Sequence, residues 1–96
     1  MGRKEIENII ISQLLEFQPL KVGLFGSFAR YEEREDSDID ILVSFKHPLS
    51  LIELIRIENK LSESIGVKVD LITENSIRNN KLREHIIKDL HLIYNA

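Results

Sequence analysis

Asp38 and Asp40 stand two residues apart at the head of an apolar run, and a third acid, Asp70, interrupts another such run at 67–72. Alternate residues of a strand share a face. If 38–45 is a strand, Asp38 and Asp40 project together, while Ile39, Ile41 and Val43 point the other way into packing. Carboxylates this close repel, and burying either without a partner is costly. A divalent cation relieves both problems. Mg²⁺ takes hard oxygen ligands, typically one or two carboxylates plus the phosphates of a substrate. With Asp70 on an adjacent strand the pair becomes a triad. Three carboxylates can hold two cations roughly 3.5–4 Å apart, stabilising the attacking and leaving oxygens of an in-line phosphoryl displacement. Asp38 and Asp40 are then the shared ligands, and Asp70 serves the attacking hydroxyl, lowering its pKa or taking its proton. The plain alternatives are a solvated strand end for the Asp38 and Asp40 pair and an ion pair with lysine or arginine for Asp70.

Gly26 and Ser27, ten residues ahead of Asp38, supply the other half of a phosphate site. Glycine lets the backbone approach a ligand closely. Serine offers a hydroxyl, and a helix opening directly after it points free N–H groups at an anion. Ser27 would also serve as a simple helix cap. Arg30 has two equal readings, a phosphate contact or an ion pair with Glu33 or a similar acid. His47, His85 and His91 have no ligand-like spacing and are assigned to surface or turn positions.

These residues need elements to hold them. Ile6, Ile9, Ile10, Leu14 and Phe17 recur at helical spacing over 4–17, and Pro19 stops that helix. A short buried strand at 21–25 follows, then a short helix at 28–31. The loop 32–37 carries Glu32, Glu33, Glu35 and Asp36 as a solvated acidic rim. After the inner strand 38–45, His47 and Pro48 turn the chain. Ser50 with Glu53 resembles a capping box opening a helix that reaches about residue 64. Leu51, Leu54, Ile55, Leu61 and Ile65 form its inward stripe, and Gly66 ends it. A strand at 67–73 precedes a last helix at 80–94, with Leu82, Ile86, Leu90 and Ile93 inward and Tyr94 packed. The order αβαβαβα predicts one α/β domain over 1–96, with three strands and about four helices. Strand direction and order are left open.

At 96 residues there is room for one core, and 43% hydrophobic with 30% charged residues is the composition of a folded globular chain. The absence of cysteine excludes disulfides and thiolate zinc sites. A net charge of -3 gives no general attraction to nucleic acid, which is not expected as a direct partner. Arg78, Lys81, Arg83 and Lys88 read as the solvated face of a helix. No stretch approaches the roughly 20 apolar residues that span a bilayer, and the N-terminus lacks a signal-type apolar run. A cytoplasmic protein without a membrane partner is expected. Its margin of stability should be thin, so assembly with itself or a partner is physically reasonable.

The run Gly26-Ser27-Phe28-Ala29-Arg30 followed by Asp38-Ile39-Asp40 resembles the signature of the polymerase-beta-like nucleotidyltransferase superfamily. Length and layout resemble its smallest members, the minimal nucleotidyltransferases, with Asp70 and a closing helix where those proteins have them. The resemblance implies a mixed three-stranded sheet flanked by helices. It implies catalysis and metal binding by Asp38, Asp40 and Asp70, and phosphate contacts from Gly26, Ser27 and Arg30. The implied reaction is Mg²⁺-dependent transfer of AMP from ATP, or from another nucleoside triphosphate, to an acceptor hydroxyl, with two ions and with pyrophosphate leaving. Minimal nucleotidyltransferases commonly pair with a helical HEPN-domain ribonuclease toxin and, as antitoxins, adenylylate a tyrosine on it. Such a partner would supply the acceptor specificity that a short chain lacks. Tyr31 departs from the pattern, since many relatives have glycine there. Its ring would change the end of the short helix or crowd the nucleotide. Two other functions stay open: a non-catalytic module that neutralises its partner by occlusion, and nucleotidylation of a small molecule. The lack of a second domain counts against the latter.

Overall fold

The computed structural model describes every residue except Glu33, Glu35 and Asp36, and within it the chain forms four strands and four α-helices. Helix α1 (Arg3–Leu14) buries Ile6, Ile10 and Leu14. A 3₁₀ turn at Leu15–Phe17, closed by Gln18 in the left-handed conformation (φ 56°), leads into β1 (Pro19–Phe25). Pro19 occupies the first residue of that strand, a position where proline is tolerated. A single helical turn, α2 (Gly26–Ala29), ends β1, and β2 (Ile39–Phe45) returns antiparallel to it. Helix α3 (Leu51–Ile65) opens on the expected capping box. The Glu53 N–H donates to Ser50 Oγ and the Ser50 N–H donates to Glu53 Oε1, each at 3.1 Å. Gly66, at φ 88°, ends the helix. Then come β3 (Val69–Thr73), α4 (Asn80–Asp89) and β4 (His91–Asn95).

The sheet order is β3-β2-β1-β4, with β2 and β3 parallel and the other pairs antiparallel. The α/β class and the mixed sheet are as expected; the strand count is not. The segment 80–94 is not one helix. It stops at Asp89, and His91–Asn95 pairs with β1 as a fourth strand. Leu82, Ile86, Leu90 and Ile93 do fall at helical spacing, but Ile93 and Tyr94 favour a strand where an open sheet edge is available. Of those four residues only Ile86 is buried, and Leu82 is 48% exposed. Tyr94 packs against the main core from β4.

Strand alternation divides the apolar residues between two faces. Val22, Leu24, Ile39, Ile41, Val43 and Val69 join α1 and α3 in the main core. On the other face Leu42 is covered by Ile77 and Ile86, with Phe25, Ile72 and Leu90 against them. In α3 the inward stripe is Ile57, Leu61 and Ile65; Leu51 and Ile55, expected inward, are exposed. Ile55 stands two residues, about 200°, around the helix from Ile57. Leu51 lies in the first turn, beyond the buried stretch. Helix α3 also finishes the outer edge of β3. The Val69 N–H donates to Ser62 Oγ (2.9 Å) and the Leu71 N–H to Glu58 Oε2 (2.8 Å), so side chains satisfy two edge amides.

Candidate active site

Asp40 and Asp70 precede Leu42 and Ile72 by two residues and therefore share their face, just beyond the small apolar cluster. The parallel register of β2 and β3 sets Asp40 directly opposite Asp70, and the antiparallel register of β1 sets Phe25 on Asp40's other side. The chain leaves β1 at Gly26, which is thus delivered to the Asp40 carboxylate. Gly26 has φ 74°, and a Cβ built on it would overlap Asp40 Oδ2. Conformation and close approach both require glycine there.

Asp40 is half-buried, and its pKa is pushed up to about 6. Desolvation is the largest cause, followed by the charges of Asp70 and Asp38 and a side-chain hydrogen bond with Asp70; the Arg30 charge opposes them. Asp38 lies immediately before β2, whose start is fixed by the Ile39 N–H donating to the Lys68 carbonyl at 2.9 Å. The Lys68 ammonium sits 3.9 Å from Asp38 Oδ2 and 3.8 Å from Asp70 Oδ1. Lys68 is largely exposed, so this is a loose and weak ion pair. The fold thus gathers all three aspartates at one end of the sheet, with a lysine of the kind weighed for Asp70 beside them. Among the described residues, no three acidic, histidine or cysteine side chains form a ready-made metal cage. The donor chemistry nevertheless suits a hard cation: oxygen ligands only, mutually repelling, with the Asp40 carboxyl pushed up by desolvation and by the two neighbouring acids.

Ser27 lies in α2, whose cap position is Phe25, so Ser27 is not the helix cap. The helix begins two residues earlier than expected and is only one turn long, so it carries little dipole. Arg30 follows it directly. Its Nε donates to Glu32 Oε2 (3.1 Å) and its Nη1 to Asp89 Oδ2 (2.8 Å), and the two acids raise its pKa. The expected pairing with Glu33 lies outside the described residues, as do Glu35 and Asp36 of the acidic rim. Asp89 went unnoticed in the sequence. Its one signal is an acid at the last residue of α4, the helix end that favours positive charge.

Tyr31 takes the left-handed conformation, φ 61°, a backbone shape that glycine would adopt without strain. Its ring stacks on the Arg3 guanidinium of α1 at 3.8 Å, and Arg3 also lies 4.0 Å over Phe28. Tyr31 therefore lies just past the end of α2, with its ring turned towards α1. His47, His85 and His91 are exposed on separate elements. A cavity of about 310 Å³, lined by Ile6, Phe28, Ile39 and Ile65 among others, belongs to the opposite face of the sheet from Asp40.

The polymerase beta nucleotidyltransferase domain model matches residues 4–96. A Methanocaldococcus jannaschii protein provisionally named a protein adenylyltransferase is 48% identical over 75 residues, 78% of this chain and 76% of that protein. Protein adenylyltransferase MntA of Thermococcus cleftensis is 39% identical over 79 residues, 78% of this chain and 80% of that protein. Among solved structures, a chain of a toxin–antitoxin crystal structure with AMP-PNP superposes with TM-score 0.85 at 26% identity, covering 94% of this chain and 73% of that one. A structure provisionally described as a minimal nucleotidyltransferase gives TM-score 0.78 at 32% identity, covering 92% and 89%. With a match along nearly its whole length and this arrangement of glycine and acids, the chain belongs to the polymerase beta nucleotidyltransferase family of enzymes, in its minimal form.

Proposed function

We propose that the chain transfers AMP from ATP to a hydroxyl of a partner protein, with Mg²⁺ held by Asp38, Asp40 and Asp70. The observation that carries this reading is the in-register pair of Asp40 and Asp70, with Asp40 packed against Gly26. It sets paired carboxylates beside a turn that a phosphate can approach closely. In the reaction the acceptor oxygen bonds to the α-phosphorus, the bond from that phosphorus to the β-phosphate oxygen breaks, and pyrophosphate leaves. The hydroxyl proton passes to an oxygen of Asp70. Asp38, Asp40 and Asp70 would hold Mg²⁺, as two ions, which when bound would neutralise the carboxylates and the charge developing on the phosphate oxygens. Gly26 admits the phosphates to the backbone, the Ser27 hydroxyl binds them, and Arg30 adds charge-assisted hydrogen bonds.

The names of the relatives support a protein acceptor, and the neighbour with AMP-PNP supports an adenine nucleotide. In the finer form of the proposal the partner is a HEPN-domain toxin, the acceptor is a tyrosine on it, and the chain acts in the cytoplasm as the antitoxin. The test is intact mass spectrometry of the neighbouring-gene product after incubation with this chain, ATP and Mg²⁺. An added AMP mass that is absent with Asp40→Asn supports transfer. A stable complex with no added mass would replace it with neutralisation by occlusion.

A further inference from the structure

Asp89 is oddly placed for an acid. It is the last residue of α4, where the helix dipole disfavours negative charge, and its side chain is only 17% exposed. A local rule broken without compensation nearby directs attention to contacts distant in the chain. Its compensation comes from across the molecule. Asp89 Oδ2 accepts a 2.8 Å hydrogen bond from Arg30 Nη1, joining residues 59 apart in the chain. Helix α4 packs on β1 and α2, so Asp89 is held from behind by the fold. Arg30 immediately follows the turn that carries Gly26 and Ser27, and its charge is felt at Asp40. The hydrogen bonds to Glu32 and Asp89 use two of the five N–H groups of the Arg30 guanidinium.

We propose that Asp89 is a positioning residue that holds the Arg30 guanidinium where it meets the phosphate tail of the nucleotide. The inference rests on the nucleotidyl-transfer reading. Glu32, the other partner of Arg30, is exposed and only two residues away along the chain, so it can follow Arg30 through its motions. Asp89 cannot, because it is anchored to a helix on the opposite side of the turn. A long cationic side chain loses much freedom when it grips a phosphate. Holding it beforehand lowers that loss and so acts on nucleotide affinity.

The test uses the full chain with its partner protein and follows KM for ATP, kcat, and the dissociation constant of a non-hydrolysable ATP analogue. Asp89→Asn is expected to raise both KM and the dissociation constant on the order of tenfold, with kcat changed much less. Arg30→Ala should do the same, and adding Asp89→Asn to it should cost nothing more, since the two residues act as one unit. Asp89→Glu should recover part of the affinity. Should Asp89→Asn lose thermal stability while nucleotide binding holds, or should the double variant show additive losses, Asp89 is merely structural and the inference falls. If the wild-type chain neither binds nor transfers nucleotide, the transfer reading falls and takes this inference with it. Wild-type binding with an unaffected Asp89→Asn variant sinks the inference alone.

Discussion

The space that a side chain at Gly26 would enter is filled by the carboxylate of Asp40. The turn after β1 and the acid on β2 are therefore one unit, and a change in either is felt by both. Gly26→Ala must strain the left-handed backbone, at about 1 kcal/mol or more, and also push Asp40 off its position. A displacement near 1 Å at a reacting centre can cost on the order of a hundredfold in rate. We expect at least that loss in kcat/KM, with circular dichroism showing the fold retained. A variant with near-normal turnover would mean that the Asp40 position is not critical.

Asp40→Asn should stabilise the metal-free protein while abolishing transfer. Burial and the neighbouring acids push the Asp40 carboxyl up to about 6 in the folded chain, from an ordinary carboxylate value of 3.8. Between these values the native state keeps a proton that the unfolded state has lost. The contribution of this group to stability is thus full below about pH 4 and gone above about pH 6. Asparagine does not titrate, so its advantage should be absent near pH 4 and grow as the pH rises to 6. Allowing for solvent screening at a half-exposed group, the gain is on the order of 1 kcal/mol, or roughly 4–8 °C in melting temperature. Melting curves in EDTA from pH 4 to 7 would show it; a constant difference across that range would contradict the account.

Lys68 bridges Asp38 and Asp70 loosely from the solvent side. Its charge should compete with a divalent cation for the same oxygens. Lys68→Met is expected to change stability by less than about 0.5 kcal/mol and to lower the Mg²⁺ concentration for half-maximal activity about twofold. A rise in the Mg²⁺ requirement would show that Lys68 serves the substrate instead.

Gly23 makes room for the junction between α4 and β4, since a Cβ there would press on Leu90. The obstacle is the end of a flexible side chain, so Gly23→Ala should cost only about 1 kcal/mol. Urea denaturation would measure it, and an unchanged midpoint would mean that Leu90 simply turns aside.

The parts of this molecule legible in the sequence are those set by neighbours along the chain. The spacing of Asp38 and Asp40, the Ser50 and Glu53 capping box and the stop at Gly66 each depend on residues within a few positions. What escaped was set at long range. Nothing near Leu90 separates helix from strand; the segment after it extends because β1 offers an unpaired edge. Asp89 looks like any surface acid until the fold brings Arg30 to it. The apolar residues of α3 suggested a wider inward stripe than the sheet covers, which left Leu51 and Ile55 in solvent.

The amides capped by Ser62 and Glu58 make the two sides of the sheet unequal. On β3 the Val69 and Leu71 donors are already committed to α3, whereas β4 has a neighbour on one side only. A strand from another chain would find those two β3 donors already taken, while no such side-chain capping is seen on β4 among the described residues. If two copies joined through β4, each would spend that border on the other, and the contact would close on itself as a pair.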